Sequence, residues 1–182
     1  MTVWEIKAGP ADRMAMLVVP QAEQVMGAMK RFGGNGNVLH WHERPKLQVY
    51  ADKRRKRLPR SDVSPFVPGA LVLNSKAFAT LGGFLADFGQ LLELDVDGEV
   101  EYFFNATHLV PCIDRERSET RPGGTVGREA FLANAVPSEA AVFKDPATAR
   151  SRLYTNDAGK RTLEDVAAAH SVSGLVFTRA GL

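Results

Sequence analysis

The chain has 182 residues, 45% of them hydrophobic and 24% charged, which suits one domain, residues 1–182, with a real core. No apolar run approaches the roughly 20 residues needed to cross a bilayer, the lone Cys112 excludes an internal disulfide and a multi-cysteine metal site, and MTVWEIKAGPADR has no apolar leader core, so a cytoplasmic protein is expected. The net charge of +2 hides an asymmetry: residues 1–60 hold 12 Lys/Arg against 5 Asp/Glu, residues 61–120 hold 3 against 10, and residues 121–182 hold 8 against 6.

In chain order, Thr2–Lys7 and Met14–Val19 read as short strands. Gln21–Arg31 has Ala22, Val25, Met26 and Met29 at helical spacing, with Gly33-Gly34 as its stop. Val38–Trp41 and Leu47–Tyr50 are short β-type runs. Lys53, Arg54, Arg55, Lys56, Arg57 and Arg60 form a basic run before Pro65 and Pro68, which reads as an exposed loop. Ala70–Leu73 is a buried-strand candidate. Ser75 is the expected cap of a helix reaching Phe88, with an apolar stripe of Phe78, Leu81, Phe84, Leu85 and Phe88. Gly89 stands where a left-handed helix end is expected, and Gly82-Gly83 offers room for a strand to approach.

The stretch Gln90–Arg117 carries three predicted strands: Leu91–Asp95, Glu99–Phe104 and His108–Asp114, the last at an edge or bulged at Pro111. Asp97-Gly98 between the first two marks a hairpin. A two-residue loop pairs Leu94 with Glu101 and mixes charged and apolar groups on each face. A three-residue loop, with Gly98 in a bulge, pairs Leu94 with Val100 and Leu92 with Tyr102. That register is the expected one, because it leaves Glu93, Asp95, Glu99 and Glu101 on one face and sets Leu92, Leu94, Val100, Tyr102 and Phe104 against the helix. The bland reading of the acidic face is solvation; the sharper one is docking of something basic.

Beyond it, Ala141–Phe143 and Leu153–Thr155 are brief strands, Asn156–Gly159 is a turn, and Thr162 is the expected cap of a last helix with Leu163, Val166 and Ala167 inward. Ser173–Thr178 returns to the sheet. Mixed elements without regular alternation of strand and helix predict an α+β fold around a largely antiparallel sheet with a few packed helices.

The chemical inventory is thin. No nucleotide-loop, zinc-protease or serine-hydrolase motif occurs. His108 and Cys112, four apart on a strand, share a face and form a candidate base and thiol, against the commoner reading of a small core cysteine. His40 and His42 share a face but lack an evident third ligand, and a surface patch flanked by Trp41 is the simpler account. Asp114 and Glu116 interleave with Arg115 and Arg117, so neutralising ion pairs explain them; Ser118 and Thr120 have no base placed beside them by any motif. The residues call for no catalytic site, metal or cofactor. The basic run admits nucleic acid, an anionic surface or an acidic partner, against a solvated loop or a salt bridge to the acidic sheet, and no aromatic residue is interleaved in it for stacking.

The order of elements resembles a known family. Leu71-Val72-Leu73-Asn74-Ser75-Lys76-Ala77 leads into an apolar helix. The Glu93–Asp97 and Tyr102-Phe103-Phe104-Asn105 strands follow, then Ile113-Asp114 with Ser118-Glu119. Val142-Phe143-Lys144, Leu153-Tyr154-Thr155 and Ser173-Gly174-Leu175-Val176-Phe177 close the series. Over residues 62–178 this is similar to an immunity-protein family of bacterial polymorphic toxin systems, the eleventh in the usual numbering and formerly a domain of unknown function. The N-terminal third matches poorly. The resemblance implies a non-enzymatic protein of interbacterial competition that binds a cognate toxin domain and blocks it. Such toxins are often nucleases or act on nucleotides, and their domains are often basic. An acidic face would then be the contact, through Glu93, Asp95, Asp97, Glu99, Glu101 and Tyr102. The alternative from another class is a nucleic-acid-binding accessory protein using the 53–60 run. The expected partners exclude a membrane, and association between copies is left open.

Overall fold

The structure, a computed structural model, describes residues 1–9, 12–24, 27–50 and 58–181. Among these the chain forms β1 (Val3–Ala8), β2 (Leu17–Val18), β3 (Lys46–Val49), β4 (Val63–Ser64), β5 (Leu71–Leu73), α1 (Ser75–Ala86), β6 (Gly89–Val96) and β7 (Glu99–Ala106). The remainder forms β8 (Glu119–Thr120), β9 (Val126–Arg128), β10 (Val142–Phe143), β11 (Tyr154–Asn156), α2 (Asp157–Ala169) and β12 (Leu175–Arg179). A six-stranded sheet runs β2-β3-β6-β7-β5-β4, a four-stranded sheet runs β10-β11-β1-β12, and β8-β9 is a small hairpin. All pairings are antiparallel except β3 with β6. This is the expected α+β fold.

The helices join the two sheets. α1 packs on β6 and β7, α2 on β11 and β1, and the helices pack on each other. Leu71, Leu73 and Phe104 of the large sheet meet Leu81 and Leu85 of α1, Leu163 of α2 and Ile6 of β1 in one core. A second core covers the opposite face of the large sheet, with Leu17, Phe32, Leu47, Leu94, Val96 and Phe103. The edges of that sheet also approach one another: Leu17 N donates to Pro65 O at 2.8 Å and Ala15 N to Pro59 O at 2.9 Å. The sheet therefore curls around its second core, as a strongly twisted sheet does.

Several boundaries differ from expectation, each for a local reason. α1 is capped by Asn74, whose side chain accepts from Ala77 N at 2.9 Å, one residue before Ser75. α2 starts at Asp157 because Asn156 accepts from Gly159 N at 2.8 Å; the expected turn at 156–159 is the first turn of the helix, and Thr162 lies within it. Gly89 does not close α1 in a left-handed turn. It opens β6, where a side chain would collide with Asn105 O, 2.3 Å away. Gly82 does admit a strand, with Leu91 Cδ1 3.6 Å from the position its side chain would take.

The expected helix at 21–31 is two 3-10 turns, Gln21–Glu23 and Ala28–Phe32, with Gly27 at φ +85° ahead of the second; Val25 and Met26 lie outside the described residues. Val38–Trp41 and His108–Asp114 are not strands: the second makes only isolated bridges, Leu109 with Lys144 and Ile113 with Phe131.

Candidate functional site

The β6–β7 hairpin has the register that the sequence argued against. Val96 pairs with Glu99, Asp95 with Val100, Leu94 with Glu101, Glu93 with Tyr102 and Leu92 with Phe103. Asp97 at φ +51° and Gly98 at φ +90° form a two-residue turn with both central residues left-handed, whose twist matches the flanking strands. Asp95 accepts from Gly98 N at 2.8 Å, and Asp97 accepts from Val49 N at 3.1 Å. The expectation of a bulge rested on one solvated face. Both faces of this sheet are covered, so apolar residues are needed on both and alternation cannot choose the register.

The four carboxylates consequently divide. Glu93 and Asp95 share the α1 side with Leu91, Tyr102 and Phe104, while Glu99 and Glu101 share the other with Leu92, Leu94, Val96 and Phe103. The single acidic face does not form. Glu93 pairs with Arg44. Tyr102 stacks on Phe78, ring centroids 3.6 Å apart and nearly parallel, and so belongs to the packing of α1. What remains acidic and outward is the end of the hairpin: Asp97 and Glu99 are exposed, and Asp95 is half-buried beside them.

Glu101 is buried among the apolar residues of the second core, with Arg60 as its counter-ion. Arg60 Nη2 lies 2.7 and 2.8 Å from the two carboxylate oxygens and 3.0 Å from Ser64 Oγ. Burial raises the pKa of Glu101, and the Arg60 charge opposes that rise without cancelling it. Arg60 is the last residue of the basic run and makes a salt bridge to the acidic strand, one of the two plainer readings of that run. Lys53, Arg54, Arg55, Lys56 and Arg57 lie outside the described residues, so the alternative nucleic-acid surface does too.

The thiol reading is not supported by its geometry. Cys112 is fully buried, and burial, with the Asp145 carboxylate nearby, pushes its pKa up to about 12. Its amide and that of Ile113 donate to Asp145 Oδ2, both at 2.7 Å. His108 stacks on Phe88, and its Nδ1 lies 3.1 Å from Val142 O, a carbonyl that can only accept. A buried, protonated thiol is a poor nucleophile.

His40 and His42 are exposed on an irregular segment, not on one strand face. Among the described residues no group of three His, Cys, Asp or Glu is placed to hold a metal. Trp41 is anchored inward rather than flanking a surface patch: Nε1 donates to Arg31 O at 3.0 Å and the ring packs against Phe32 and Phe103. Asp114 is satisfied by backbone, not by the flanking arginines. Its carboxylate accepts from Glu116 N and Arg117 N, and Ser118 Oγ bridges Asp114 O and Ala130 N.

Two polar centres were not singled out from sequence. Asp62 accepts from Ser173 N, Ser173 Oγ, Asn74 Nδ2 and Lys76 Nζ at 2.8–3.1 Å, tying the α2–β12 turn to the start of α1. Burial raises its pKa, but those bonds outweigh burial and bring it down to about 2. Deeper, Glu129 is buried against Arg152 and the Tyr154 hydroxyl, which also meets Thr148 Oγ1. Nearby in sequence, Lys144 is buried with its ammonium on Ala149 O, and burial lowers its pKa to about 8. No sequence signal marks these groups, because their partners lie far apart in the chain or on backbone atoms.

No protein-family model matches this chain, and no curated protein matches it either. No helix among the described residues is long and apolar enough to cross a membrane.

Proposed function

We propose that this chain is an immunity protein that neutralises a cognate bacterial toxin domain by binding it, with the acidic end of the β6–β7 hairpin as a contact. The resemblance over residues 62–178 supports the class. The surface rests on one observation: Asp97 and Glu99 project at an exposed, tightly turned hairpin end, with Asp95 next to them. A rigid cluster of carboxylates is complementary to a basic cleft and accelerates encounter with it. Glu101 and Tyr102, committed to Arg60 and Phe78, hold the hairpin in place rather than touch the partner.

The test is a binding titration against the C-terminal domain encoded by the neighbouring toxin gene, paired with a protection assay in cells. Asp97→Lys with Glu99→Lys should lower affinity at least tenfold, mostly through the association rate, and weaken protection. Wild-type affinity in the double variant at low salt refutes the hairpin contact. Absence of binding by the wild-type chain refutes the class.

A further inference from the structure

An open groove of about 500 Å³ lies between β2 and the Ala28–Phe32 turn. Its volume falls within the range of small-molecule sites. Phe66 lines it and is held rigidly, packed edge-on against Phe32 at 4.7 Å. Met16 and Met29 form adaptable walls and are 39% and 48% exposed, so their side chains are open to a ligand. Two of the polar groups here already have partners: Leu17 N donates to Pro65 O, and Gln24 Nε2 donates to Val19 O.

Among the described residues lining the groove, Lys30 alone is charged. Its methylenes Cγ to Cε lie 3.5–3.9 Å from the position a Gly27 side chain would take, so its stem runs along the wall. Gly27, at φ +85°, leaves that space open. A lysine lying this way adds apolar surface and presents its ammonium at the rim.

We propose that this groove binds a medium-chain linear carboxylate, its chain against Met16, Met29 and Phe66 and its head on the Lys30 ammonium. An apolar bed with one cation selects this chemistry: a neutral chain forfeits the ion pair, and a short anion forfeits the burial. The site stands independently of the toxin-binding reading.

The experiment is an NMR titration of the methionine ε-methyl groups of the full chain with hexanoate, octanoate and decanoate, kept below micelle formation, and with decanol. The Met16 and Met29 signals should shift together. Each added methylene should tighten Kd about fourfold until the groove is filled. Decanoate should bind more tightly than decanol, and Lys30→Met, an exposed position that keeps the stem, should remove that preference. Shifts confined to other methionines, a Kd indifferent to chain length, or an undiminished preference in Lys30→Met would each overturn the assignment.

Discussion

Arg60 Nη2 sits 2.7 and 2.8 Å from the two carboxylate oxygens of Glu101, 41 positions away in the chain. The pair lets a carboxylate occupy the second core between Leu94 and Phe103. Removing the cation strands a buried charge, which costs far more than losing an exposed pair. Arg60→Met should cost about 2–3 kcal/mol at neutral pH, discounted for the partial exposure of Arg60. Urea unfolding of the two proteins measures this directly.

The pH dependence of Glu101 has a definite sign. Its folded pKa is raised, chiefly by burial, so the native state holds the proton more tightly than the unfolded chain. Its contribution is complete below the ordinary carboxylate range and falls as pH climbs through the raised folded value. Glu101→Gln cannot titrate. Wild-type stability minus that of Glu101→Gln should therefore decline as pH rises above the ordinary carboxylate range.

Asp62 has the opposite sign. A folded pKa of about 2 against an ordinary 3.8 gives a contribution that is full above about pH 4 and lost as pH falls towards 2. Asp62→Asn should cost about 2 kcal/mol at pH 7. That deficit should shrink in acid, as measured by chemical denaturation at both ends of the range.

Lys144 predicts a gain. Its folded pKa of about 8 lies below the ordinary 10.5, so wild-type stability from this group rises with pH between those values. Lys144→Met removes the buried cation and should stabilise the protein by about 1–3 kcal/mol at pH 7. The advantage should narrow near pH 10.

Three glycines separate backbone from packing. At Gly83, on the exposed side of α1, an added Cβ meets nothing within 4 Å, and Gly83→Ala should stabilise by about 0.5–1 kcal/mol. At Gly98 there is also space, but φ is +90°, so Gly98→Ala should cost about 1–2 kcal/mol. Gly89→Ala should be worse than either, because Asn105 O lies 2.3 Å from the new carbon. Thermal unfolding of the three variants ranks them.

Local chemistry carried much of the fold. The spacing of Phe78, Leu81 and Leu85 placed α1, Asp97-Gly98 placed the hairpin turn, and the mixed order of elements placed the class. Caps shifted by one or several residues because Asn74 and Asn156 could be recognised only once Ala77 N and Gly159 N were seen to point at them. The short N-terminal runs were the least legible, since strands of two to four residues owe their existence to neighbours rather than to propensity.

By itself, the sequence determined that a tight turn joins two strands between Leu91 and Phe104 and that this stretch is rich in carboxylates. Alternation with period two is a property of the chain, and the turn residues declare themselves. Only the tertiary structure decided which carboxylates share a side. A core above the sheet and another below it call for apolar residues on both faces, so alternation alone does not choose the register, and twist at Asp97-Gly98 and the reach of Arg60 to Glu101 select it. Those are contacts between distant segments, and no local pattern encodes them.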